Sequence, residues 1–382
     1  MSTRHPLPRG LPRWVALAAL LWGVGGAGYA QSQWQGIESI AETAPPAGAV
    51  SAPAYHYLVL NSGGSGGPFG QGDVREHLLD VSFLDEHFGW ACGWRGVFAT
   101  HDGGLTWSRV RPPGGWMRVH LSGRDEAWLY ENAWGGAPGT CKLWHTDDAG
   151  ATWQEQLPGQ FSHLSRFTWA GDHVWALGGP GRDWRSDDDG RTWRRADFGS
   201  LLPMAGLVAV PGDAPTDAPG GWAAYACGWQ RQGERVRVVR SADGGQTWAQ
   251  LSLPDELLDP DWRPTVLFFA TSRAGWMGGD RGKILGTEDA GATWQHRDLP
   301  SERRITALWF DQLGRGLAAV ENPVHAWRAT LYETSNGGRN WQPVLGGVKQ
   351  VNAICGLGPG RIWAVGTVPD VVPNDLVVLI SR

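Results

Sequence analysis

Six side chains with chemical potential recur at one place in a repeated pattern, Ser/Thr-x-Asp-x-Gly-x-Thr-Trp. They are Asp102, Asp148, Asp188, Asp243, Asp289 and Asn336, and the Trp that ends each copy is Trp107, Trp153, Trp193, Trp248, Trp294 or Trp341. Carboxylates so regularly placed could be metal ligands, acids or bases, but the surrounding residues are those of a hairpin turn. The Asp can accept hydrogen bonds from backbone N–H groups two residues on, closing an Asx-type turn. The Gly takes a positive φ, and the Trp opens the next strand and buries its ring between neighbouring units. Each carboxylate is therefore expected to be used up by its own turn. Asn336 keeps the acceptor, so the sixth copy should fold the same way.

A second set is cationic and aromatic. Arg95, Arg182, Arg281 and Lys283 lie in short loops that follow an aromatic strand, and Arg231, Arg235, Trp134 and Trp327 lie in the longer loops that alternate with them. Guanidinium groups offer fork-shaped hydrogen bonding and stacking, which suits a carboxylate-bearing or peptide partner. The plain alternative is that these are solvated turn residues. Other chemistry is weaker. Asp255, Glu256, Asp259 and Asp261 read as a solvated acidic loop, and Gly63-Gly64-Ser65-Gly66-Gly67 lacks the helix that a nucleophile elbow needs. The 11 His residues show no metal-ligand spacing and no phosphate-binding Gly loop is present, so neither metal nor cofactor is expected.

The elements that position these groups follow from the repeat. Successive pattern Trp residues lie 46, 40, 55, 46 and 47 apart. A small or aliphatic residue followed by an aromatic marks a second strand before each turn, at Trp90, Trp128, Trp175, Tyr225, Trp276 and Trp363, with Leu317 a weaker copy. Periods near 40 to 50 with four short strands each indicate a β-propeller. The expectation is an all-β, seven-bladed β-propeller of four-stranded blades over residues 54–382, with Asp-box turns. The last unit supplies only three strands, so a strand at His56–Asn61 is expected to complete it and leave no bare edge. The Asp turns then share one rim, and the loops between second and third strands share the other with the links between blades.

Composition limits the partners. Lys plus Arg number 33 against 38 Asp plus Glu, a net charge of −5 that argues against nucleic acid. Residues 1–30 read as a signal peptide: Arg4, Arg9 and Arg13 precede an apolar run, Trp14 to Val24, and Gly28-Tyr29-Ala30 offers a cleavage site. A retained anchor is the rival reading. Residues 31–53 read as a flexible lead-in, and the product is expected outside the cytoplasm. Of the four Cys, Cys92 and Cys227 hold equivalent places in separated units, which favours buried thiols there over a bridge.

The run Gly89-Trp90, Gly93, Arg95-Gly96, Phe98, Thr100, Asp102-Gly103-Gly104, Thr106-Trp107 resembles the photosystem II stability/assembly factor family. Gly275-Trp276, Gly279-Asp280-Arg281-Gly282, Ile284, Asp289, Gly291, Thr293-Trp294 matches the same pattern. The resemblance implies a non-enzymatic Asp-box (BNR-repeat) propeller, exported to a periplasmic or thylakoid-lumen-like compartment or secreted. It implies a monomer that grips a client membrane or envelope protein through an Arg patch, with Arg95 and Arg281 at the family's repeated Arg-Gly turns. Peripheral membrane association would come through the client. The alternatives are a sialidase-like Asp-box glycosidase, which needs a spaced pair of carboxyls, or a carbohydrate-binding module.

Overall fold

Short strands separated by Gly- and Asp-rich turns make up the regular structure of the chain in its computed structural model. The structure describes residues 56–61, 78–94, 96–112, 114–132, 141–161, 164, 166–178, 183–196, 204–212, 221–229, 236–254, 257, 262–321, 329–346, 350–358, 361–367 and 375–381. The chain divides into two units, residues 1–51 and 52–382, and every described residue belongs to the second. The expected signal peptide and lead-in lie outside the described residues.

Six sheets each take four consecutive strands, antiparallel and in sequence order. The first runs β2 (Leu78–Phe83), β3 (Gly89–Gly93), β4 (Gly96–Thr100) and β5 (Ser108–Arg111). The second sheet runs from β6 (Trp116–Leu121) to β9 (Gln154–Gln156), and the third from β10 (Arg166–Ala170) to β13 (Arg194–Arg195). The fourth runs from β14 (Met204–Pro211) to β17 (Ala249–Leu251), and the fifth from β18 (Pro264–Phe269) to β21 (Gln295–His296). The sixth runs from β22 (Ile305–Phe310) to β25 (Gln342–Gly346). A further antiparallel sheet draws its strands from both ends of the described chain and has a different order: β1 (His56–Asn61), β28 (Asp375–Ser381), β27 (Ile362–Thr367), β26 (Gln350–Gly356). In it Leu58 stands opposite Leu379. The architecture is an all-β propeller of four-stranded antiparallel blades.

Second strands such as Gly89–Gly93, Gly275–Gly279 and Gly316–Val320 are buried along their whole length. Both their faces are covered by neighbouring sheets, so they read as apolar runs rather than alternating ones. Fourth strands such as Arg194–Arg195 and Gln295–His296 are exposed. The core is thus divided among the seams between sheets. Trp90, Cys92, Val119 and Leu129 fill the first seam, and Tyr225, Val238, Phe269 and Met277 fill the fourth. Val81, Phe83, Trp363 and Val365 join this last sheet to the first.

Aromatic stacking repeats around these seams. The second-strand aromatic of one sheet lies flat on a first-strand Phe of the next: Tyr225 on Phe269 and Trp276 on Phe310 at 3.6 Å, Trp363 on Phe83 at 3.8 Å. Polar clamps add register. The pairing of first to second strand slips at Pro264/Val266, Ile305/Ala307 and Val351/Ala353, leaving one extra residue in each. Each extra residue reaches across the seam. Thr265 donates to the Ile305 carbonyl at 2.7 Å, Thr306 to Val351 at 2.6 Å, and Asn352 to Leu78 at 2.6 Å.

Candidate functional site

The Asp turns join third to fourth strands, so with the first-to-second loops they form one face. Their internal bonding is nearly identical from copy to copy. The opening Ser or Thr hydroxyl donates to the Asp Oδ1 at 2.7–2.9 Å in the five Asp copies, from Thr100 and Asp102 to Thr287 and Asp289. That Oδ1 accepts the N–H of the following Thr, and Oδ2 accepts the same Thr's hydroxyl, as Thr192 gives to Asp188 at 2.8 and 2.6 Å. The N–H group captured by the Asp is therefore four residues on, not two as the Asx reading expects. The short-range bond belongs instead to the Ser or Thr: Ser186 Oγ accepts the N–H of Asp188 at 3.3 Å and of Gly190 at 2.8 Å. Asn336 keeps the Oδ1 half of this scheme, with Thr334 and Asn340 both at 3.0 Å.

These bonds stabilise the ionised acids. Hydrogen bonds from Thr152 and Thr192 lower the Asp148 and Asp188 carboxyls to about 2. Burial raises Asp243, yet hydrogen bonds from Thr247 and Ser241 outweigh it and leave the group at about 2. A carboxylate so engaged has little capacity left for a ligand or a proton. Each turn also rests on the preceding sheet. Trp153 packs on Trp90 and Trp193 on Trp128, both at 6.1 Å between ring centres. Gly190, at φ 77°, sits so close to Trp128 that a Cβ there would come within 2.2 Å of the indole.

The same face holds a cavity of about 580 Å³ beside the ends of the first strands, lined by Phe268, Trp309, Leu313, Ile354 and Leu357. Its acidic lining residue is Asp311, which accepts hydrogen bonds from Leu313, Arg315 N–H and the Arg315 guanidinium.

The opposite face is chemically different. In the fifth sheet, residues Asp280–Gly282 form a tight 3-10 turn after β19 (Gly275–Gly279). Arg281 takes the left-handed conformation at φ 60° and is exposed, while Lys283 is half-buried. The turn is pinned on both sides: Asp280 N–H donates to the Arg263 carbonyl at 3.1 Å, and Leu299 N–H donates to Gly282 at 2.8 Å. Gly282 is required there, since a Cβ would fall 1.8 Å from the Ser301 carbonyl. Arg304 approaches Asp280 at 3.7 Å, and Arg303 Nε donates to Ser301 Oγ at 3.3 Å. Five cationic residues thus lie on or beside one turn: Arg281 and Lys283 in it, Arg263 through its carbonyl, Arg303 through Ser301 and Arg304 through Asp280, with the exposed Glu302 among them. Such a surface can take a carboxylate or an acidic peptide segment.

Of the residues expected to bind a partner, Arg281 and Lys283 are brought together. Arg95, Arg182, Arg231, Arg235, Trp134 and Trp327 lie outside the described residues. Arg263, Arg303 and Arg304 are additions: they immediately precede first strands, and links share a face with second-to-third loops. The sequence reading also missed Glu126, His145 and Asp189, which converge on the Asp-turn face. The one signal available was Asp189, standing where other copies have Gly or Ala. All four Cys are free thiols, and burial pushes Cys92 up and Cys355 to about 12.

Residues 225–356 match the family described as photosynthesis system II assembly factor YCF48. The solved structure of YCF48 bound to D1 peptide is similar at a TM-score of 0.57 and 18% identity, covering 87% of this chain and 99% of that one. YCF48 from Cyanidioschyzon merolae gives 0.57 and 17%, over 84% and 98%. The GH74 enzyme of Niastella koreensis gives 0.61 and 14%, over 81% of this chain and 53% of that one. At such identities these structures establish the fold alone. None of the curated protein sequences matches. The chain thus resembles the photosystem II assembly factor-like β-propellers.

Proposed function

We propose that this chain is an exported, non-enzymatic assembly factor that binds a client membrane or envelope protein through the cationic face around Arg281. The observation that carries the reading is the placement of Arg263, Arg281, Lys283, Arg303 and Arg304 on or beside one turn, opposite a face whose repeated turn acids are engaged by their own turns. The family match over residues 225–356 and the D1 peptide bound by YCF48 support a protein segment as the ligand class. In this reading the six consecutive sheets and the sheet built from β1, β28, β27 and β26 make a seven-bladed ring, with β1 as the strand that closes it. Arg95, Arg182, Arg231, Arg235, Trp134 and Trp327 are proposed to contact the same partner. The protein works as a periplasmic, lumenal or secreted monomer and meets the membrane through its client.

Crosslinking with mass spectrometry in the native envelope tests this. Wild type should capture a membrane protein, and Arg281→Glu with Arg304→Glu should abolish that capture while the fold stays intact. Unchanged crosslinks in the double variant would remove this face from the site.

The GH74 likeness favours a second reading, a glycosidase. It requires two carboxyls about 5 to 9.5 Å apart across a substrate cleft. The cavity on the Asp-turn face presents Asp311, already paired with Arg315, and the turn acids are held by their own hydroxyls and N–H groups. Hydrolysis of a sugar polymer by the purified protein would establish this reading over the first.

A further inference from the structure

One group of side chains on the Asp-turn face is not absorbed by turn bonding. Glu126 ends the loop before the second strand of the second sheet, and His145 sits on that sheet's third strand, one residue before its turn. Asp189 belongs to the turn of the third sheet. One ligand atom from each lies within 4.8 Å of the others. The three therefore meet across a seam, two from one blade and one from the next.

Comparison among the six turns shows how unusual the arrangement is. The place of Asp189 is held by Gly103, Ala149, Gly244, Ala290 and Gly337 in the other copies, all with φ between 57° and 76°. A side chain larger than Ala in this left-handed position occurs once, and it is a carboxylate at φ 55°. The place of His145 is held by Ala99, Arg185, Arg240, Gly286 and Glu333, so the imidazole is also particular to this seam.

The hydrogen bonding is incomplete. His145 Nε2 is sealed from solvent and has no hydrogen-bond partner, and Glu126 Oε1 lies 3.5 Å away, beyond good hydrogen-bond length. The imidazole is fixed from behind by the fully buried Trp128, 4.3 Å between ring centres. Asp147 and Arg191 are the other charged groups acting on it. Two carboxyls facing each other in a half-buried site repel unless something positive lies between them. A nitrogen lone pair aimed at the same place makes a metal ion the better answer than a proton.

We propose that Glu126, His145 and Asp189 bind a first-row divalent metal ion, zinc in particular, which bridges the seam between the second and third sheets. One imidazole and two carboxylates suit zinc, with a water completing the tetrahedron, and the nitrogen disfavours magnesium and calcium. Bound there, the ion joins two blades that otherwise meet through apolar and aromatic packing and the hydrogen bond from Trp193 Nε1 to Gln156 Oε1 at 3.2 Å, and it stabilises the folded chain by mass action.

The test is calorimetric titration of the full-length, tag-free chain with zinc chloride, with magnesium and calcium chloride as separate arms. Wild type should bind one zinc per chain and melt at a higher temperature with it. Asp189→Gly and His145→Gln should each lose at least the roughly 10- to 100-fold in affinity that even outer-shell changes cost. Asp189→Gly is the decisive variant, because Gly is the residue used at that φ in three other turns, so its fold is secure; metal-free melting of both variants checks this. Absence of zinc binding in wild type overturns the proposal. So does undiminished binding in Asp189→Gly, or a preference for magnesium or calcium over zinc.

Discussion

The two faces of the propeller treat charge in opposite ways. On the Asp-turn face the repeated carboxylates are enclosed by hydroxyls and N–H groups of their own turns, and turns such as those of Trp153 and Trp193 sit on an indole of the preceding blade. On the other face, Arg281 lies exposed in a turn pinned by backbone bonds to Arg263 and Leu299, and Arg304 approaches Asp280 of that turn at 3.7 Å. Repetition therefore marks the face that builds the molecule. Irregular charge marks the face proposed to meet a partner. Loops displayed by a rigid scaffold commonly carry binding in this way.

That contrast can be tested by effect size. Trp294 is buried at 4% exposure against Phe269, and its Nε1 donates to the Gly291 carbonyl at 3.1 Å. Trp294→Ala should cost about 3–5 kcal/mol in denaturant unfolding; a change near zero would mean that turns and seams are not coupled. Gly190→Ala places a methyl into the Trp128 ring and should cost about 1–3 kcal/mol by overpacking. An unaltered melting temperature would show that this seam yields easily.

Acid titration sharpens the comparison with smaller effects. Asp148, Asp188 and Asp243 are depressed to about 2 in the folded chain, so the unfolded chain binds more protons between about pH 4 and pH 2. Their stabilisation is fully present above about pH 4 and is lost as pH falls through 2. Asp189 has the opposite sign: burial first, then Glu126, raises it to about 6. Its contribution is present below about pH 4 and lost as pH rises through 6. Melting temperatures across pH 2–7 should show both limbs, and Asp189→Gly should remove the upper one. Smallest of all, Arg281→Glu with Arg304→Glu should alter stability by no more than about 0.5 kcal/mol. A large loss would make those cations structural.

Much of the architecture was visible in the spacing of Trp107 to Trp341, because each turn packs an indole, buried at Trp107 and Trp294 and half-buried at the others, against the seam behind it. The turns were recognisable but their wiring was not. Nothing in Ser-x-Asp tells which oxygen captures which N–H, and the Ser hydroxyl proved to take the short bond. Arg281 and Lys283 could be found because they flank an Arg-Gly turn. Arg303 and Arg304 could not, since they become neighbours of that turn only when the next blade docks. Glu126, His145 and Asp189 are separated by a strand and a blade boundary, and only the exception at Asp189 hinted at them.

The bond from Asn352 to the Leu78 carbonyl spans 274 residues. Contacts of such sequence separation form late, because the entropy of bringing distant segments together precedes any gain. Until almost the whole polypeptide is at hand, the early blades can only form an open crescent, with the apolar flank of the first one bare beside Phe83. Truncation anywhere before Asn352 should leave that crescent sticky rather than merely inactive.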